Sequence, residues 1–236
     1  MTEEPDQGRD RPWRNLYGRR RGKRLKPNQL RALEALLPRI AVADVSSLDN
    51  PDRRPLPPLF DDGRPVWLEV GFGGGEHMVH QAAAHPEVGI IGCEPFVNGV
   101  AMALGRVEAA GVGNIRVHPG DARDLIELLP DAGVSRVFLL YPDPWPKARH
   151  VQRRFMHSDN LALLARVMAP GAELRVATDI ADYADHARAV VTEAPGFVRA
   201  PRDESEPWPG WPGTRYEAKA LVAGRAPQYM TFLRRN

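Results

Sequence analysis

The chain has 236 residues, 43% apolar and 26% charged, with a formal net charge of +2, enough for one substantial domain plus an extension. No apolar run reaches the ~18 residues of a membrane span, and the polar N-terminus carries no secretory signal pattern. One cysteine, Cys93, excludes an internal disulfide or a Cys-rich zinc site and suits a reducing cytoplasm. The seven histidines are not spaced as metal ligands, so neither metal nor membrane is expected.

Residues 1–26 are expected to form a flexible or loosely docked basic arm. From Arg11 to Lys26 eight Arg or Lys residues run without an acid. Residues 1–26 carry +5, leaving −3 on residues 27–236. That asymmetry fits an arm for a polyanion on a near-neutral body, or a solvated tail. Trp13 and Tyr17 among the arginines favour nucleic acid, because rings stack on bases. Residues 27–64 read as a helix followed by a linker. Asn28–Leu37 has helical spacing in Leu30, Leu33 and Leu37, and a proline-rich stretch over 49–65 follows.

The body, residues 65–236, alternates short apolar runs with helical segments. Strands are expected at 66–72, 88–94, 114–121, 136–143 and 173–179, with helices at 76–85, 96–111, 122–129, 158–168 and 180–194. A closing strand lies around Gln228–Leu233. Such alternation implies βαβ units and an α/β fold with a parallel sheet covered on both faces. Ligands of these sheets sit beyond the strand C-termini, where this chain places Glu69, Glu94, Asp121, Asp143 and Asp179 in turn.

The loop LEVGFGGG joins the first strand to the first helix of the body. Gly71, Gly73, Gly74 and Gly75 permit tight turns and close approach of a ligand. A dinucleotide fingerprint wants a sixth-position glycine where Glu76 stands, which disfavours a nicotinamide dehydrogenase. Acids flanking the loop better suit a cationic nucleoside such as S-adenosylmethionine. Glu94 stands where a ribose diol would lie, or serves as a helix N-terminal charge. Asp121 is placed to read an adenine amine or to cap a helix, and the two roles are compatible.

The motifs LEVGFGGG, GCEPF, GDA, YPDPWPKARHVQRR, ATD and TRYE resemble, in order and spacing, those of the bacterial tRNA (guanine-N7)-methyltransferases. The resemblance spans roughly residues 65–235. It implies a Rossmann-like, doubly wound, mostly parallel seven-stranded sheet of the class I methyltransferase type. It also implies S-adenosylmethionine as cofactor, tRNA as partner, and methylation of a guanine N7 in the tRNA variable loop. By the same resemblance Glu69, Gly71, Gly73, Glu94, Asp121 and Asp143 contact the cofactor, and Asp143 also holds the catalytic position. Lys147, Asp179 and the segment Thr214, Arg215, Tyr216 and Glu217 are implied as substrate contacts, and Arg149, Arg153 and Arg154 as part of an RNA strip. The chain departs from the family at Arg215, where Lys is usual, and at Gln152, where Lys is common.

The chemistry agrees with the residues. Guanine N7 has an in-plane lone pair and no proton to lose, so alignment and local charge matter more than a general base. Asp143, Asp179 or Glu217 can face the base as it becomes cationic. Pro142, Pro144 and Pro146 stiffen the loop around Asp143, Trp145 offers a wall, and the basic strip offsets repulsion between Asp143 and RNA phosphates. Trp208 and Trp211 fit either packing beneath a loop or base stacking. Two other readings are a methyltransferase for another RNA site or a small molecule, and a non-catalytic RNA-binding module on the same fold.

Overall fold

The computed structural model describes residues 16–236. A seven-stranded sheet with the order β3-β2-β1-β4-β5-β7-β6 forms its centre. The strands are β1 (Val66–Val70), β2 (Gly89–Cys93), β3 (Ile115–His118), β4 (Val134–Leu140), β5 (Met168–Thr178), β6 (Phe197–Arg199) and β7 (Gln228–Arg234). β1 to β5 pair in parallel, whereas β7 runs antiparallel between β5 and β6. The chain winds outward from β1 to β3, then crosses back to place β4 beside β1. The sheet thus has its switch point between β1 and β4, the position that opens a crevice in doubly wound folds.

Side chains alternate across the sheet with the period of two that strands impose. Leu68, Val70, Ile91, Cys93, Val137, Leu139, Leu174 and Val176 face one core. That core is closed by α5 (Ala122–Ile126), α6 (Ser158–Val167) and α7 (Ala181–Glu193). Trp67, Ile90, Val117, Phe138, Leu140 and Ala177 face the other, under α1 (Pro27–Ala35), α3 (Glu76–Ala84) and α4 (Val97–Ala110). Every residue of β2 is buried, as expected of a strand covered on both faces. Two short helices complete the set: α2 (Leu37–Ile40) after α1, and α8 (Arg215–Val222) before β7.

The stretch over residues 49–65 is packed against the body. Leu56 and Phe60 are buried in the first core, the Leu56 amide donates to Leu128 O, and Arg53 donates to the carbonyls of Val45 and Asp124. Trp13 and the arm before residue 16 lie outside the described residues. Residues 16–26 run along the start of α4: Val97 N donates to Arg20 O, Gly22 N to Asn98 Oδ1, and Asn98 Nδ2 to Lys23 O. One backbone donor at the helix start, otherwise unpaired, is thereby satisfied while the basic side chains stay exposed.

Candidate active site

A cleft of about 1130 Å³ opens at the β1/β4 switch point, lined by Val70, Gly71, Glu94, Asp121, Asp143 and Arg153 among others. All but Arg153, which comes from the 3-10 helix beyond β4, lie at a strand end or in the loop after it. On the β1 side the chain turns through the glycine loop into α3. Gly75 caps that helix at φ +79°, where a Cβ would lie 2.6 Å from Ala103 Cβ. Both the left-handed backbone and the close approach of α4 therefore call for glycine.

Glu94 is 8% exposed. One carboxylate oxygen accepts from Gly73 N at 2.7 Å and the other from Phe96 N at 2.9 Å. Burial raises its pKa, opposed by those two backbone donors. The side chain thus ties the glycine loop to the start of α4 and keeps a further lone pair on each oxygen. Asp121 caps α5, accepting from Arg123 N at 3.0 Å, and grips the Arg123 guanidinium at 2.5–3.1 Å.

Glu69 is not brought to the cleft wall. It points to the opposite face of β1 from Val70 and accepts from His77 Nδ1 at 2.6 Å, both side chains being almost wholly buried. Gln81 Nε2 lies 3.2 Å from His77 Nε2, which fits the tautomer with its proton on Nδ1.

On the β4 side, Tyr141 and Trp145 adopt φ of +50° and +42°, strained values for bulky residues and common at functional sites. Between them Asp143 has no ion pair or hydrogen bond among the described residues, and partial burial raises its pKa. The arm passes over it: a Cβ on Gly18 would lie 3.8 Å from Asp143 Oδ2. The Trp145 ring packs edge-on to Tyr17 at 6.2 Å and to His150 at 5.8 Å. The Arg153 guanidinium sits over both Tyr17 (4.5 Å) and Trp145 (5.1 Å).

The segment after Pro146 is a 3-10 helix, Ala148–Arg153, with Lys147 and Arg149 exposed. Partial burial and the nearby Arg153, Arg149 and Lys147 lower the His150 pKa, so this strip is a local positive field. Arg154 does not belong to that exposed strip. It is 3% exposed, donates to Pro144 O at 2.9 Å and pairs with Asp182. The run of bases hid this, since Arg154 is the extended residue that ends the 3-10 helix and its side chain leaves in a different direction from those within it.

The TRYE segment splits in the same manner. Arg215 and Tyr216 line the cleft, with Arg215 Nη2 3.2 Å from Tyr216 Oη. Thr214 caps α8, accepting from Glu217 N at 3.0 Å. Glu217 accepts from Trp211 Nε1 and Tyr229 Oη, both at 2.6 Å. Asp179 is engaged by Arg225 at 2.5 Å. Trp208 is buried and donates to Thr231 Oγ1 at 2.8 Å, so it packs rather than stacks. Sequence reasoning missed Arg123 and His77; the spacing of Asp121 and Arg123 around a helix start was the available signal for the first.

Among the described residues no helix is long and apolar enough to cross a membrane, and no group of His, Cys, Asp or Glu is placed to hold a metal ion.

Residues 63–229 match a family described as putative methyltransferase. A tRNA (guanine-N(7)-)-methyltransferase of Paracoccus denitrificans is 57% identical, covering 95% of this chain and 97% of its own length. Its counterpart in Cereibacter sphaeroides is 58% identical over 94% and 92%. Among solved structures, the 16S rRNA methyltransferase KamB superposes with a TM-score of 0.53 at 19% identity, covering 73% of this chain and 88% of that one. An rRNA methylase from Streptococcus thermophilus gives 0.51 at 9% identity over 74% and 89%. These two share the fold, a class I methyltransferase sheet. Identity above half over nearly the whole length places this chain in the tRNA (guanine-N(7)-)-methyltransferase family.

Proposed function

We propose that this protein transfers the methyl group of S-adenosylmethionine to N7 of a guanine in tRNA, with the cytoplasm as its place of action. The observation that carries the reading is Asp143: a carboxylate with no partner among the described residues, at the sheet's switch point, beside an exposed basic strip.

The β1 side of the cleft fits S-adenosylmethionine. Glu94 retains acceptor capacity for a ribose diol, Asp121 borders the same wall, and a Cβ built on Gly71 would meet no atom within 4 Å. The backbone there is open to close approach. When bound, the cofactor supplies an electrophilic methyl group. The rest falls to this chain. Lys147, Arg149 and Arg153 hold phosphates, which positions the RNA without reading it. Asp143 then faces the purine, accepting from guanine N–H groups and offsetting the positive charge that grows on the ring. Thr214 and Glu217 shape the far edge of the base site through α8, with Arg215, Tyr216 and Asp179 around it.

The test is a transfer assay with labelled S-adenosylmethionine and bulk unmodified tRNA, followed by nucleoside analysis. Label in 7-methylguanosine, lost in Asp143→Ala, is the expected result. Label in another nucleoside would move the reaction to a different RNA site. Cofactor and tRNA both bound without transfer would make this a binding module.

A further inference from the structure

Two adjacent arginines meet the Asp143 loop from opposite sides. Arg153 lies on its outer face, over the rings of Trp145 and Tyr17. Arg154 turns inward. Its Nε donates to Pro144 O at 2.9 Å and its Nη2 reaches Trp145 O at 3.5 Å. The same guanidinium pairs with the Asp182 carboxylate at the start of α7 and lies 5.5 Å over the Tyr183 ring. Tyr183 is fully buried, and its hydroxyl accepts from Met156 N at 3.4 Å.

The loop needs such an outside donor. Prolines at 142, 144 and 146 remove three of its amides, so it has few N–H groups with which to hold itself. Its upstream end is tied by Tyr141 N donating to Ala177 O at 2.8 Å. Downstream, the two carbonyls that bracket the strained Trp145 backbone are the ones Arg154 reaches. Asp143 sits between these two anchors. A planar guanidinium with five donors in fixed directions suits this clamp, and a single ammonium does not.

We propose that Arg154 is a positioning residue for methyl transfer, fixing the backbone that carries Asp143 and making no contact with RNA, with Asp182 as its anchor. The inference rests on the methyltransferase reading above.

Five proteins decide it: wild type, Arg154→Met, Arg154→Lys, Asp182→Asn and, as the outer-face comparator, Arg153→Met. Each is measured for single-turnover methyl transfer to tRNA, for tRNA affinity across a salt series, and for amide exchange at Tyr141, Asp143 and Trp145. Arg154→Met should slow transfer by about 100-fold, the scale of a small misplacement of a reacting group, and speed exchange in the loop. Its tRNA affinity should stay within about twofold with an unchanged salt slope, because no phosphate contact is removed. Arg154→Lys should restore part of the rate, and Asp182→Asn should give a smaller fall with the same exchange signature. Arg153→Met should instead flatten the salt slope.

A salt slope for Arg154→Met as flat as that of Arg153→Met would overturn the proposal, and so would unchanged exchange in the loop. Should Arg154→Met fail to fold, Asp182→Asn carries the test alone. Its side chain is 70% exposed, and an unaltered rate and exchange there would sink the idea. A wild type that transfers no methyl defeats the functional reading; loop exchange would still decide the role of Arg154.

Discussion

The two walls of the cleft are built on opposite plans. On the β1–β3 side the acids are already engaged: Glu94 bridges two backbone amides, Asp121 holds Arg123 and caps α5, and Glu69 is paired with His77 in the interior. On the β4 side Asp143 has no partner among the described residues, and Lys147 and Arg149 project into solvent. A wall whose polar groups satisfy one another holds its shape before any ligand arrives. A wall of unsatisfied groups derives its partners from the ligand. The first is suited to a small cofactor of fixed shape, the second to one base on a large, charged and mobile polymer.

That contrast can be broken from either side. The largest effect belongs to Asp143→Ala. Turnover should fall by roughly 10²–10³-fold, the range seen when one preorganised electrostatic group is removed. Cofactor affinity measured by titration calorimetry should barely change, and equal losses in both would erase the division between the walls. Next comes pH. His118 ends β3 on the β1–β3 side of the cleft, where burial lowers its pKa to about 4, and its Nε2 is buried without a partner among the described residues. The unfolded chain therefore binds the extra proton between about pH 6.5 and 4, so stability is intact above that window and declines as pH falls through it. The decline should approach ~3 kcal/mol. Urea unfolding of His118→Gln should show a flatter profile; the same slope in both proteins would assign the pH dependence elsewhere.

Glu94→Gln removes an acceptor that the wall relies on. Cofactor affinity should drop by about 10- to 100-fold, in line with the loss of hydrogen bonds to a charged group, while tRNA affinity is retained. A drop in tRNA affinity of the same size would mean that the walls are coupled. The smallest change is expected of Arg153→Ala, which should lower the slope of log affinity against log salt by about one while leaving cofactor binding untouched.

Most of the sheet was legible because buried parallel strands are continuous apolar runs, and those between Val66 and Thr178 stand out against helical spacing. β6 escaped notice. It has three residues, of which only Phe197 is buried, too few for an alternation to register. The TRYE segment reads in sequence as a substrate motif, and Thr214 and Glu217, three apart, also carry the signature of a helix start, which α8 bears out. The segment after Pro146 reads in sequence as a basic strip, and its closing into a 3-10 helix is set by the folded loop. In the site, the acids at the strand ends were visible because position along a strand fixes which end a residue occupies. Which acid is free and which is engaged was not. The partners of Glu69, Asp179 and Glu217 come from His77, Arg225, Trp211 and Tyr229, and three of those four pairs cross between elements that only the folded chain brings together. Arg154 is the sharpest case: beside Arg153 in sequence, it lies on the other side of the loop.

The antiparallel strand β7 has a consequence for synthesis. The glycine loop and the acid that braces it leave the ribosome early and can form with β1, β2 and α4. Glu217 is set by Tyr229, and Tyr229 is held in register by pairing with Ala177 of β5. Among the described residues β6 pairs in the sheet with β7 alone. A nascent chain can therefore close the β1–β3 wall of the cleft well before the edge that Glu217 shapes, so a ribosome paused ahead of β7 carries one wall of the cleft complete and the other still open.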